Sequence, residues 1–198
     1  MATDIDICNL ALGNLGCKTI SSLATPVTTV EAKYCRIYYA QCRDQVLIDH
    51  DWNFAEKEKY ISLLVGEDSE RFDYAYEYPS DCLNIRRIHQ FVEGEQPIKY
   101  VVNALSGENG RKILTNQATP LLVYTIKITN TSLFNAAFVE ALSWRLAASL
   151  AMPLTKSRTK ARDAMVTYIG MINTAKTIDS IEGDEKIEVT TDFLAARE

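Results

Sequence analysis

The hydrophobic period of this chain changes twice, and those two changes constrain its fold more than any other feature. Up to "YYAQCRDQVLID", apolar residues recur every three or four positions, the spacing of one face of a helix. From Trp52 onward the period falls to two, and after Asn130 the helical period returns. Helical segments at both ends, with short strand-like segments joined by turns between them, exclude the regular strand–helix alternation of a parallel sheet. The pattern reads as α+β with an antiparallel β region.

Within the first helical part, "TDIDICNLALGNLG" places Cys8, Ala11, Leu12 and Leu15 on one stripe. Thr3 or Asp4 can cap its start, and Gly16 sits where a left-handed helix end is common. A second helix is expected after "TTVE", with Thr28 and Glu31 forming a capping box. Its stripe is Ala32, Cys35, Tyr39, Cys42 and Val46. Strands are expected in "KYISLLV", "FDYAYEY", "LNIRRIHQF", "IKYVVN", "RKILT" and "LLVYTIKI", giving an antiparallel sheet or small sandwich. In the last of these, Leu122, Tyr124, Ile126 and Ile128 share a face.

The third helix, "SLFNAAFVEALSWRLAASLAMP", is apolar nearly all round, which predicts burial against several neighbours, and Pro153 is expected to stop it. The fourth carries a stripe of Ala161, Met165, Tyr168, Ile172 and Ala175. These segments predict a discontinuous helical bundle, residues 1–56 and 130–178, formed by the N- and C-terminal helix pairs. Residues 57–129 form an inserted antiparallel β module, and residues 179–198 an acidic C-terminal tail.

Charge narrows the functional classes. Residues 179–198 hold seven acids against Lys186 and Arg197, which leaves 19 bases and 19 acids in residues 1–178. A neutral body lacks the net basic face that gripping nucleic acid requires. No apolar run approaches the roughly 20 residues of a membrane helix, and "MATDIDICN" lacks the regions of a signal peptide. The chain is therefore expected in a cytoplasm, with no membrane association. Five cysteines without a C-x-x-C pair suggest neither a disulfide framework nor a zinc site.

Signatures of catalysis are missing from the sequence: there is no phosphate-binding glycine loop, no G-x-S-x-G and no H-E-x-x-H. His50, between Asp49 and Asp51, reads as part of a helix end. Asp81, Cys82 and His89 can be drawn as a nucleophile and base, but nothing in the sequence brings them together. No enzyme activity and no cofactor are expected. The candidate sites are instead surfaces. Lys156, Arg158, Lys160 and Arg162 form the densest basic cluster, suited to an acidic partner surface, to DNA phosphates or simply to solvent. Tyr74, Tyr76 and Tyr78 share one strand face and read as packing between sheets or as a subunit interface. In the tail, "KIEVTTDFLAA" alternates Ile187 and Val189 with polar residues before Phe193 and Leu194, a pattern able to add a strand to a neighbour's sheet edge. Trp52 and Phe54 lie at the handover from second helix to β module, where large rings can wedge the two layers at a fixed angle.

Taken in order, "ICNLALGNLG", "YYAQCRDQVLIDHDWNFA", "YEYPSDCLNI" and "LLVYTIKIT…FNAAFVEALSWRLAASLAMPLT" resemble the head-to-tail adaptor proteins of short-tailed bacteriophages, the tail tubular protein A group. The resemblance spans about residues 5–178 and leaves the acidic tail outside it. It implies a non-enzymatic virion protein at the head–tail interface, made in the host bacterial cytoplasm. Such a protein forms a ring, usually of twelve copies, between the portal protein and the tail nozzle protein. DNA passes through the lumen without specific binding, which a neutral to acidic protein suits because a basic lumen would retain DNA. The alternative is a small cytoplasmic ligand-binding or regulatory protein using the β module. An enzyme with an unrecognised site ranks third.

Overall fold

The computed structural model describes residues 2–27, 29–67, 69–89, 97–106 and 110–182. Helix α1 (Asp4–Leu15) starts on a capping box. The Thr3 hydroxyl accepts from the Asp6 amide at 3.2 Å, and the Asp6 carboxylate accepts from the Thr3 amide at 2.8 Å. It ends on Gly16 at φ 69°, where a side chain would be strained. Helix α2 (Val30–Asp49) is capped by Thr29, whose hydroxyl accepts from the Ala32 amide. The cap thus lies one residue later than the expected Thr28, which falls outside the described residues. Every position of the expected α1 and α2 stripes is buried.

Helix α3 (Ala136–Thr155) is the centre of the bundle and packs against α1, α2 and α4 (Arg158–Glu182). That position explains its near-uniform apolarity: Phe138, Leu142, Leu146 and Leu150 have no exposed surface at all. Pro153 does not stop the helix, which continues to Thr155. Its ring removes only the bond to the Ser149 carbonyl, close to an end where carbonyls run out of partners anyway. The actual stop is Lys156, in the left-handed conformation at φ 54°, its amide bonded to the Met152 carbonyl. On α4, Ala164 takes the core place expected for Met165, which is 38% exposed. Close packing on the alanine-rich α3 favours the smaller side chain. The helix also runs to Glu182, past the expected start of the tail at 179.

Two tyrosines tie the bundle ends. The Tyr39 hydroxyl of α2 donates to Asp4 at the start of α1 at 2.8 Å, and that of Tyr168 on α4 donates to Asp49 at the end of α2.

The β module is a sandwich of two three-stranded antiparallel sheets, β1-β6-β3 and β2-β5-β4. The strands are β1 (Glu56–Tyr60), β2 (Tyr74–Glu77), β3 (Cys82–Ile88), β4 (Tyr100–Ala104), β5 (Arg111–Thr115) and β6 (Leu121–Ile126). Five strands overlap the core of their expected segments, while β1 begins three residues early. The reason is pairing: Glu56–Tyr60 bonds to β6 as an edge strand with its side chains largely in solvent, so it needs no apolar alternation. Ile85, Ile88, Leu122 and Tyr124 of one sheet meet Tyr76 and Ile113 of the other in one cluster. Tyr74 and Tyr78 pack at its border, so the tyrosine face serves inter-sheet packing.

Candidate functional site

The joint between bundle and β module is densely bonded. The Trp52 ring is fully buried in the helical core, and its indole N–H donates to the Val46 carbonyl at 2.8 Å. Edge-on contacts join it to His50 (ring centroids 4.9 Å apart) and Phe138 (5.1 Å). Phe54 lies half-buried beside it, edge-on to Phe138 at 5.3 Å and tilted against Phe134. Both rings therefore pack into the bundle side of the joint, and neither enters the β cluster.

What reaches across from the β side is Arg86. Its side chain is 4% exposed. It donates to the Thr125 hydroxyl at 2.9 Å, to Glu56 at 2.8 Å and to the Trp52 carbonyl at 2.6 Å. Asp51 stands 3.4 Å away. Backbone geometry sets this up. Ile85 pairs with Tyr124 and Arg87 with Val123, so Arg86 is the extra residue of a β-bulge. A bulge re-aims the side chain it inserts, and here it points at the end of α2. A second tie runs from Lys127, just after β6, to Asp44 of α2 at 2.9 Å. Trp52 was visible in the sequence as a rare large ring at a boundary. Arg86 was not, because a charged residue in "LNIRRIHQF" reads as an outward-facing strand position.

All four residues of the basic cluster are exposed, and two of them also serve helix ends. Lys160 donates to the Leu15 carbonyl at 2.7 Å, completing the end of α1. Lys156 forms the left-handed stop of α3, and Arg158 and Arg162 lie at the start of α4. Ile187, Val189, Phe193 and Leu194 lie outside the described residues.

Two apolar surfaces were not anticipated from the sequence. A groove of about 560 Å³ runs between α1 and the start of α3, walled by Leu10, Phe134, Val139 and Trp144, with Asn14 and Glu140 at its polar edge. On α4, Met165, Val166 and Ile169 are 38%, 61% and 51% exposed. At 100° per residue they form one ridge with Arg162. The signal for the ridge was the apolar excess of "AMVTYIGM", which exceeds what one buried stripe can absorb. Concave spaces in the β module, about 510 Å³ and 390 Å³, are lined by loop residues such as Val65, Gly66, Asp73 and Asn116.

The titratable candidates go elsewhere. Asp81 accepts from Lys57 at 2.7 Å and from the Tyr124 hydroxyl at 3.1 Å, and the Lys57 bond holds its carboxyl below the ordinary range. The Cys82 thiol donates to the Tyr78 hydroxyl at 3.2 Å within the sandwich. Burial pushes this thiol up, the opposite of an activated nucleophile. Among the described residues no group of three or more His, Cys, Asp or Glu could hold a metal, and no helix is long and apolar enough to cross a membrane. The cysteines are all free thiols. No protein-family model matches the chain, and no curated protein matches it significantly.

Proposed function

We propose that this chain is a structural adaptor which forms a ring between a phage portal and the tail nozzle, with DNA passing through the lumen. The observation that carries the reading is the Arg86 joint. An adaptor has to hold one body against one partner and a second body against another, and pass mechanical load between them. Two bodies joined by a single flexible linker would not do this. Here a buried arginine side chain from β3 bonds the chain leaving α2 and the strand after it, while Lys127, just after β6, bonds Asp44 of α2. Large apolar side chains left exposed on separate faces of the bundle also suit a protein that is finished by its neighbours. The resemblance of residues 5–178 to head-to-tail adaptors supplies the partners: a portal, a nozzle and further copies of the chain.

A second reading, a small ligand-binding or regulatory protein, draws on the size of the groove, about 560 Å³ and within the range of ligand pockets. The groove belongs to the bundle and its walls come from half-buried side chains open to solvent, while the β-module spaces of about 510 Å³ and 390 Å³ are lined largely by loop residues. The adaptor reading is favoured on that ground.

The test is the mass of the full chain in solution, alone and mixed with purified portal rings. The expected result is a large ring complex in at least one of the two conditions. A monomer or dimer in both, across the portals tried, would overturn the adaptor reading.

A further inference from the structure

The groove and the ridge lie on different flanks of the bundle. Lys160 reaches the end of α1, and Asn14, Leu15, Lys160, Asp163 and Thr167 line one small cleft, so that side of α4 faces α1. Arg162, Met165, Val166 and Ile169 are turned about half a helical turn away from it. One chain therefore carries a concave apolar surface beside α1 and a convex apolar surface facing the other way. A single copy cannot bring them together.

From this we infer that they meet between copies: the α4 ridge of one chain seats in the α1/α3 groove of the next. The occupant fits on three counts. Met165, Val166 and Ile169 are unbranched or aliphatic side chains suited to walls of Leu10, Phe134, Val139 and Trp144. Charge agrees as well, since Arg162 borders the ridge and Glu140, itself exposed, borders the groove. The relation is also heterologous, each chain using two different faces, which is the kind of contact that closes a ring or runs on as a filament. A self-complementary patch would stop at a dimer. This inference rests on the adaptor reading and adds which surfaces touch.

The experiment uses the full chain with Cys17, the one half-buried native thiol, replaced by serine, and with Leu10→Cys and Ile169→Cys introduced together or singly. Both sites are about half exposed, so the substitutions leave the core alone. Assemblies formed alone or on portal rings are treated with a short bismaleimide. The double variant is expected to give a ladder of cross-linked multimers and each single variant no dimer. A dimer from either single variant means like faces meet and overturns the inference. An assembly of ring mass with no ladder overturns the contact while leaving the adaptor reading standing. No assembly in either condition removes both. As a second measurement, Arg162→Glu is expected to weaken assembly at least tenfold and Glu140→Arg in the same chain to restore it. Loss of portal binding by Leu10→Asp with chain-to-chain assembly intact would give the groove to the portal instead.

Discussion

Arg86→Ala removes one side chain and, with it, the main bond between the two bodies. The guanidinium makes three hydrogen bonds at 2.6–2.9 Å from a site only 4% exposed. Bonds from a charged donor contribute about 1.5–3 kcal/mol each when considered singly, but they share one group and are not additive. Removing one member of a buried ion pair costs about 3–5 kcal/mol. Water can reach part of what is left, because the Glu56 side chain is 31% exposed. The buried Trp52 carbonyl, by contrast, loses the donor that the guanidinium supplied. The lower end, about 3 kcal/mol, is therefore expected, equivalent to a fall in melting temperature of about 6–12 °C for a chain of this size. Urea unfolding followed by circular dichroism measures it. Arg86→Lys should recover less than half of the loss, since one ammonium cannot serve three acceptors arranged for a planar fork. A loss below about 1 kcal/mol for Arg86→Ala, the size of an ordinary surface substitution, or full recovery with lysine, would refute the keystone role.

Trp52→Ala is expected to cost about 3–5 kcal/mol, as for other large rings removed from a core, and to weaken ring assembly; Trp52→Phe, which loses the bond to the Val46 carbonyl and part of the ring volume, is expected to cost less than Trp52→Ala but more than the bond's about 1 kcal/mol. Unchanged melting of Trp52→Ala would mean that the ring does not hold the bundle core together at the joint. Burial, then the bonds to Asp4 and Asp49, push the hydroxyls of Tyr39 and Tyr168 well above the ordinary tyrosine range. Their contribution is fully present below about pH 10, where unfolded tyrosines titrate, and is lost as pH rises beyond it. Unfolding midpoints measured from pH 8 to 11 should fall at the alkaline end, less steeply in Tyr168→Phe. Lys156→Gly relieves a left-handed backbone at φ 54° and is expected to stabilise by about 0.5–1 kcal/mol. A destabilised variant in thermal melts would mean that the lysine side chain contributes more than the strain costs.

Much of the fold was legible because periodicity reports burial along one element at a time. The stripes of α1 and α2 follow from spacing alone, and so does the number of strands. Boundaries failed where a partner decided them. β1 starts at Glu56 because β6 offers its backbone there, not because "EKEKY" looks like a strand. Ala164 replaces Met165 in the core because α3 leaves room for a methyl group.

The sequence by itself determined the α+β class and the order of helices and strands, since each depends on local spacing of apolar side chains. Tertiary structure alone decided where the two bodies are bonded and which surfaces stay open. Arg86 becomes a joint only when a bulge between Ile85 and Arg87 turns it toward the end of α2, 37 residues earlier at Asp49. Lys160 becomes a helix cap only when α1 ends beside it, and the groove exists only once α1 lies against α3. Hydrogen bonds and clefts between distant segments depend on three-dimensional register, which hydrophobic spacing does not encode.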